Sequence, residues 1–441
     1  MKIDIPKPEN RRVVIIGGGF AGLTLAKSLI KAKLQVVLID KNNYHAFPPL
    51  LYQVATADLE ATAIAFPFRK IFRNKKNFFF RLAEVLNINP DNQSISTNIG
   101  DISYDYLIIA TGSKTNFFNM EGLKIRSMPM KNINQAINLR HMILQNFEQA
   151  LGMANQRKKK SIMNYVIAGG GPTGVELAGA LGEIKKNVLP SEYPELESDL
   201  MQVNLIQAGD RILPMFSEKS SAKAQEFLED LGVKVQLNSR VTDYFGDFIQ
   251  TNNNEDLVAH TLIWTAGVTA SPIQGIGESI LKDSNRIEVD KFNEVKHYKN
   301  IFAIGDVSSI ISEDIPRGLP MIAPVAIQQA QKLTKNLKRL IEGKKMLPFK
   351  YKDKGSMATI GKNKAVVEMG KFQMHGRIAW YIWMLVHLLS LVGFSKKINV
   401  FITWTVNYFS KDRGVQLILR RFDFHKLKEQ RKEQIKIENE N

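Results

Sequence analysis

Arg11-Arg12-Val13-Val14-Ile15-Ile16-Gly17-Gly18-Gly19-Phe20-Ala21-Gly22 decides how this chain is read. A short β-branched strand runs into Gly17-x-Gly19-x-x-Gly22 and then into a helix, the order of a dinucleotide-binding βαβ unit. Gly17 permits the tight turn, Gly19 lets the backbone approach a pyrophosphate, and Gly22 lets helix pack on strand. The phosphates then meet unpaired N–H groups at the helix N-terminus, with Phe20 and Ala21 in the same cradle. Val36-Val37-Leu38-Ile39-Asp40 is the expected second strand. Asp40 ends it about 20 residues on, where a carboxylate accepts from a ribose hydroxyl, and Lys41 stands beside it. Taken alone, the stretch also fits a glycine turn in an ordinary α/β domain.

The pattern occurs twice. Tyr165-Val166-Ile167-Ala168-Gly169-Gly170-Gly171-Pro172-Thr173-Gly174-Val175-Glu176 repeats strand, glycines and helix. Pro172 falls near the first helical position, where its missing N–H costs little, and Thr173 lies inside the loop. One chain therefore carries two dinucleotide sites. Three further strands end in small-residue turns able to lie against a flat cofactor: one at Thr111-Gly112, one at Ala266-Gly267 and one at Gly305-Asp306. Asp306 adds an acceptor for a polyol. The fold class read from this is α/β, two Rossmann-like dinucleotide-binding domains with the second inserted in the first, plus a C-terminal amphipathic membrane-anchoring region. The expected boundaries are 1–120 and 285–345 for the first domain, 161–275 for the second and 350–441 for the C-terminal region.

A chain of 441 residues is too long for one ordinary core and suits two or three domains. Its net charge of +17 calls for a polyanionic partner, either nucleic acid or an anionic membrane surface. The chain has no cysteine, which excludes disulfides, thiolate nucleophiles, iron–sulfur clusters and a redox-active dithiol. Residues 1–12 are polar, and the apolar run after them is too short for a signal h-region, so a cytoplasmic location is expected.

Along the chain, residues 43–55 are interrupted by proline and read as a loop, with His45 structural. Residues 66–81 mix phenylalanine with basic residues and read as half-buried packing. Residues 130–150 have helical spacing, and the basic run 157–160 reads as an exposed connection. The helix after Gly174 is expected to continue to Leu189. Gln207 ends the next strand, where an NAD-selective site usually places a carboxylate. An amide does not repel a ribose 2′-phosphate, and Arg211 is near in sequence, so NADPH is admitted although NADH stays preferred. Glu176 in the first helical turn fits both dipole stabilisation and positioning or proton chemistry beside a nicotinamide. Ala323-Pro324-Val325-Ala326-Ile327-Gln328-Gln329 is small and apolar, a surface for a ring system. Residues 354–368 read as a hairpin.

An apolar-aromatic run, 378–394, follows, and a second covers 398–409. A transmembrane helix, a core helix and an interfacial anchor all fit the first. Trp380, Trp383, Trp404 and Tyr408 beside Arg377, Lys396, Lys397, Lys411, Arg413, Arg420 and Arg421 favour the anchor. The tail, 426–441, reads as a solvated helix.

These residues together resemble the type II NADH dehydrogenases, single-subunit NADH:quinone oxidoreductases of respiratory membranes. The resemblance lies in both glycine motifs, residues 43–55, Gly305-Asp306, residues 323–329, residues 354–361 and the tryptophan-rich C-terminal run. It implies FAD held by the region of Gly17 to Gly22 with Asp40, Thr111, Gly112 and Asp306, and Val85 lining the adenine pocket. It implies NADH on Gly169, Gly171 and Gly174 with Glu176 near the nicotinamide, and a quinone, menaquinone or ubiquinone, near Gln328. Many members carry glutamine where this chain has Pro324. The implied reaction is hydride transfer to the flavin and two-electron reduction of a membrane quinone without proton pumping. The expected setting is the cytoplasmic face of the membrane, on anionic lipid, as a homodimer, with no metal and no nucleic-acid partner. The alternatives are a soluble NAD(P)H-dependent reductase of a small redox protein and a basic nucleic-acid scaffold.

Overall fold

The computed structural model describes residues 3, 5–253, 255–313, 315–410, 416–418 and 422–440. Lys411, Arg413, Arg420 and Arg421 lie outside the described residues. The chain forms two compact units. One comprises 1–46, 65–114 and 268–354; the other comprises 47–64, 115–267 and 355–441.

In the first unit the β-branched run Arg12–Ile16 is the middle strand of a five-stranded parallel sheet, flanked by Gln35–Asp40 and Tyr106–Ile109. Strands buried on both faces read as continuous apolar runs, and these do. Ile301–Ala303 closes one edge. Phe78–Leu82 closes the other, a strand hidden in what reads as mixed aromatic-basic packing. Phe68 and Phe80 are indeed buried, and Phe78 stacks on Phe72 at 3.7 Å. The helix Phe20–Leu29 packs against Ala323–Ile341.

The second unit repeats the plan, with the parallel order Met128–Pro129, Thr261–Trp264, Asn164–Ala168, Gln202–Ile206, Val233–Gln236. Its glycine helix, Pro172–Glu183, continues through a π-helical turn, Ile184–Val188, into Leu189–Glu192. The C-terminal residues belong to this unit. The expected hairpin is a three-stranded antiparallel sheet, Ser356–Gly361, Lys364–Met369 and Phe372–His375. It packs on the helix at Gly179, where a Cβ would stand 2.3 Å from the Ile360 carbonyl oxygen.

Three expectations need correction. Residues 48–55 are a 3₁₀ turn, Pro48–Leu50, and a helix, Leu51–Ala55, not a loop; Pro48 opens the turn, where no N–H is needed. The basic run 157–160 lies on the helix Gln156–Ile162, because the Asn155 side chain caps it by accepting from the Lys158 N–H. The tail helix Phe424–Glu440 is not merely solvated. Arg431 donates to the carbonyls of Lys124, Ile125 and Ser127, and Ile435 is buried.

The apolar run 378–394 is broken. Arg377–Ser390 has 14 residues, about 21 Å at 1.5 Å per residue, against a hydrocarbon thickness of about 30 Å. Gly393 at φ +86° separates it from Phe394–Ser410. Among the described residues no helix is long and apolar enough to cross a membrane. Trp383 and Trp404 do not sit at an outer interface; both are buried. They share inward faces with Ala379 and Val400, four residues earlier on each helix.

Candidate functional site

Each unit carries one glycine cradle. In the first, Gly17 holds φ +100°, and a Cβ there would stand 2.3 Å from the Ala110 carbonyl oxygen. Gly19 starts the helix Phe20–Leu29 with no side-chain cap, and a Cβ on it meets nothing within 4 Å. A bare helix N-terminus beside open space fits a pyrophosphate. The Gly18 N–H donates to Asp40 Oδ2 at 2.6 Å and the Asn42 N–H to Oδ1 at 2.7 Å. Burial pushes the Asp40 carboxyl above its ordinary value, and those hydrogen bonds oppose the shift; Lys41 is exposed.

Thr111 and Asp306 follow two further strands of the same sheet, whereas Val85 lies on a separate three-stranded sheet. Thr111 Oγ1 donates to the Ser271 carbonyl at 2.6 Å, and Gly112 holds φ +72°. Ser113 Oγ donates to Asp306 Oδ2 at 2.5 Å. Gly305 lies close to Ala21 and Ala326. Ala323 opens its helix, and Val85 packs partly buried against the core. His45 is structural as expected: it is buried, its Nδ1 is 2.9 Å from the Gly18 carbonyl oxygen, and its ring meets Phe20 edge-on.

Two neighbouring glutamines have different roles. Gln328 pairs with the Lys352 main chain, Nε2 donating to its carbonyl at 2.9 Å and Oε1 accepting from its N–H at 3.0 Å. Gln329, which sequence reasoning did not single out, is buried. Its Oε1 accepts from the Gly305 N–H at 2.7 Å and its Nε2 donates to Asn293. It braces the turn that carries Asp306.

In the second cradle, Gly169 holds φ +111° and crowds Ala266, while Gly171 begins the Pro172–Glu183 helix uncapped, with open space beside it. Pro172 and Thr173 are exposed at that end. The Gly170 N–H donates to Gln207 Oε1 at 2.9 Å, and Gly267 lies under the Phe118 ring. Arg211 pairs with Glu218 at 3.3 Å. Thr265, unmarked in the sequence, ties the turn by donating from Oγ1 to the Ala168 and Gly169 carbonyls.

Glu176, one turn into this helix, is 8% exposed, and burial pushes its carboxyl up to about 8. The Thr359 main chain and the Trp383 indole partly oppose the shift, the indole N–H standing outside hydrogen-bonding geometry. At neutral pH the group is a carboxylic acid that can donate a proton. Glu176 faces a cavity of about 220 Å³ whose walls include Trp380, Trp383, Trp404 and Tyr52. Trp404 Nε1 donates to Gln53 Oε1 at 2.8 Å, and Gln53 Nε2 donates to the Tyr52 hydroxyl. His387 stacks on Trp383 at 4.0 Å, and burial lowers its imidazole to about 4, leaving it neutral.

The profile of the pyridine nucleotide-disulphide oxidoreductases matches residues 11–330, spanning both cradles. The type II NADH:quinone oxidoreductase Ndh of Mycobacterium tuberculosis is 34% identical over 92% of this chain and 90% of its own length. The type II enzyme of Haemophilus influenzae is 30% identical over 84% of this chain and 92% of its own. In fold, the chain is similar to NDH2 from Plasmodium falciparum solved with NADH, with a TM-score of 0.85 and 22% identity over 93% of this chain and all of that one. The wider family is named for a disulphide that a cysteine-free chain cannot form. Its similarity along nearly its whole length is to the branch that reduces quinones, and the chain belongs to the type II NADH:quinone oxidoreductases.

Proposed function

We propose that this chain carries out its family's reaction with a division of labour between the units. The first cradle holds FAD through Gly17 to Gly22, Asp40, Thr111, Gly112 and Asp306. The second binds NADH on Gly169, Gly171 and Gly174, and Glu176 supplies a proton. FAD, when bound, accepts a hydride equivalent and passes on an electron pair. The residues orient, exclude water and move protons. The carrying observation is that each cradle ends in an uncapped helix N-terminus with open space beside its middle glycine. Gln328 with Ala323 is the proposed quinone-side surface. Since the Gln328 amide is already paired with Lys352 and Pro324 brings none, the quinone head is held there chiefly by apolar contact.

The test is anaerobic mixing of FAD-loaded protein with NADH and then a short-chain quinone. Bleaching on the first addition and return of the yellow colour on the second are expected; a flavin that NADH leaves oxidised rules the reading out.

We further propose peripheral attachment to anionic lipid on the cytoplasmic face, as a homodimer. What supports attachment is an outward apolar face on the two C-terminal helices. Phe394 and Phe409 are 79% and 78% exposed, with Ile378, Leu385, Leu389 and Phe401 also exposed, beside Arg377, Lys396 and Lys397. Phe394→Ser with Phe409→Ser should release the protein from vesicles rich in anionic lipid, as read by co-sedimentation, while turnover of a short-chain quinone in detergent persists. Sedimentation velocity separates dimer from monomer.

A further inference from the structure

We propose that the ring of Phe118 is an aromatic seat for the nicotinamide half of the bound dinucleotide. This rests on the reading of the second cradle as the NADH site and adds the side chain that holds the reacting half of that molecule.

Sheet topology fixes which side of the cradle that half takes. Asn164–Ala168, the strand that runs into the glycines, has Gln202–Ile206 on one side and Thr261–Trp264 on the other. A dinucleotide on such a sheet sets its pyrophosphate on the helix N-terminus and its adenosine ribose at the end of the following strand, here at Gln207. Its other half then lies on the opposite side, over the turn Thr265-Ala266-Gly267. The backbone leaves that place open to a flat group: Ala266, which abuts Gly169, is exposed, and Gly267 has no side chain.

Phe118 stands at this turn. A Cβ on Gly267 would be 2.9 Å from Phe118 Cζ, so the ring lies on the turn itself. Phe118 and Asn119 are both left-handed, at φ +50° and +61°. Asparagine tolerates that region, whereas a bulky residue there is an outlier. Strain of this kind persists only where the surroundings over-determine it, and it clusters at ligand sites. Three hydrogen bonds hold the loop here. The Asn116 N–H donates to the Gly267 carbonyl at 3.0 Å, the Trp264 indole N–H to the Asn116 carbonyl at 2.7 Å, and the Phe118 N–H to Asn116 Oδ1 at 2.8 Å.

The preceding residue shows what a structural ring does in the same loop. Phe117 stacks on Trp264, with 6.0 Å between centroids and 24° between planes, and packs against the core. Phe118 meets that indole only edge-on and is 54% exposed. Packing therefore does not account for a large apolar ring turned back over this turn at a strained φ. A planar apolar surface in that place suits the planar nicotinamide ring, by offset or edge-on stacking.

The test uses the full-length, FAD-loaded protein with NAD⁺ and with ADP-ribose, which keeps the adenosine end and lacks nicotinamide. Titration calorimetry gives both dissociation constants without turnover. Phe118→Ala and Phe118→Gly should weaken NAD⁺ about tenfold and move ADP-ribose by less than about twofold. Phe118→Tyr keeps the ring and should bind both like the parent. Glycine adopts φ +50° freely, so Phe118→Gly should melt at or above the parent's temperature even as it loses NAD⁺, a combination that a packing role does not produce. Parent-like NAD⁺ binding in both truncations overturns the seat. Equal loss of NAD⁺ and ADP-ribose overturns it too, since the loop and not the ring would then be felt. Gly174→Ala separates this failure from failure of the underlying reading. It should weaken both ligands; if it weakens neither, the second cradle is not the nucleotide site and the seat falls with it. Weak binding of both in Gly174→Ala beside parent-like Phe118→Ala leaves the cradle standing without the seat.

Discussion

Gly17 and Gly169 turn at φ +100° and +111°, and a Cβ on Gly22 or Gly174 would stand 1.8 or 1.9 Å from the carbonyl oxygen of the first glycine of its own cradle. Around that shared backbone the chemistry diverges. The strand after the first cradle ends in the carboxylate Asp40, the strand after the second in the amide Gln207, and each accepts from the middle N–H of its loop. Two residues past the last glycine the first helix has half-buried Thr24, whereas the second has buried Glu176. The backbone is common to both cradles, and these two positions are where their side-chain chemistry parts.

The largest expected effect tests the second of these positions. Glu176 ionises near 4.5 in the unfolded chain and near 8 in the folded one. Between those values the folded state binds more protons, so stability falls as pH rises from about 4.5 and levels off above about 8. The loss is at most about 5 kcal/mol. Glu176→Gln should flatten that profile and raise the melting temperature above pH 8 relative to the parent, as seen by calorimetry. An unchanged profile would mean the carboxyl is ionised in the fold. No such profile should attach to Thr24→Gln.

Next in size are the packing glycines. Gly22→Ala and Gly174→Ala force backbone to move, costing about 3 kcal/mol each. If the cradles are separate, Gly22→Ala loses FAD on gel filtration, whereas Gly174→Ala stays yellow and raises the KM for NADH by more than about tenfold. Loss of both ligands in both variants would merge the two sites.

Much of this comparison was legible before the fold was seen, and the physical reason is locality. A glycine turn, its strand and its acceptor are set by short stretches of chain, so Gly17, Gly169, Asp40 and Gln207 could be placed from spacing. What escaped depends on which surface a segment meets. The helices Arg377–Ser390 and Phe394–Ser410 are apolar on more than one face, and periodicity alone does not say that Trp383 and Trp404 turn inward. Gln328 and Gln329 are adjacent and chemically identical, yet one is buried under the Asp306 turn and the other pairs with Lys352 at the surface. The strand Phe78–Leu82 was obscured by its arginine and its flanking basic residues.

A smaller effect separates the two acceptors. Asp40→Asn replaces a hydrogen-bonded carboxylate by an amide that can present the same oxygen to Gly18, at a cost of about 2 kcal/mol. FAD retention should fall by about tenfold or more in equilibrium dialysis, while the KM for NADH stays put. Gln207→Glu is the reverse exchange in the other cradle, and its effect should be smaller still and selective. The new carboxylate keeps the contact to Gly170 and still accepts from a ribose hydroxyl, so NADH turnover changes little. A 2′-phosphate in the same place meets a like charge, and Arg211, engaged by Glu218, offers only partial relief. The kcat/KM for NADPH should drop about tenfold, roughly 1.4 kcal/mol. Equal losses for NADH and NADPH would show that the amide at Gln207 shapes the loop and does not read the ribose.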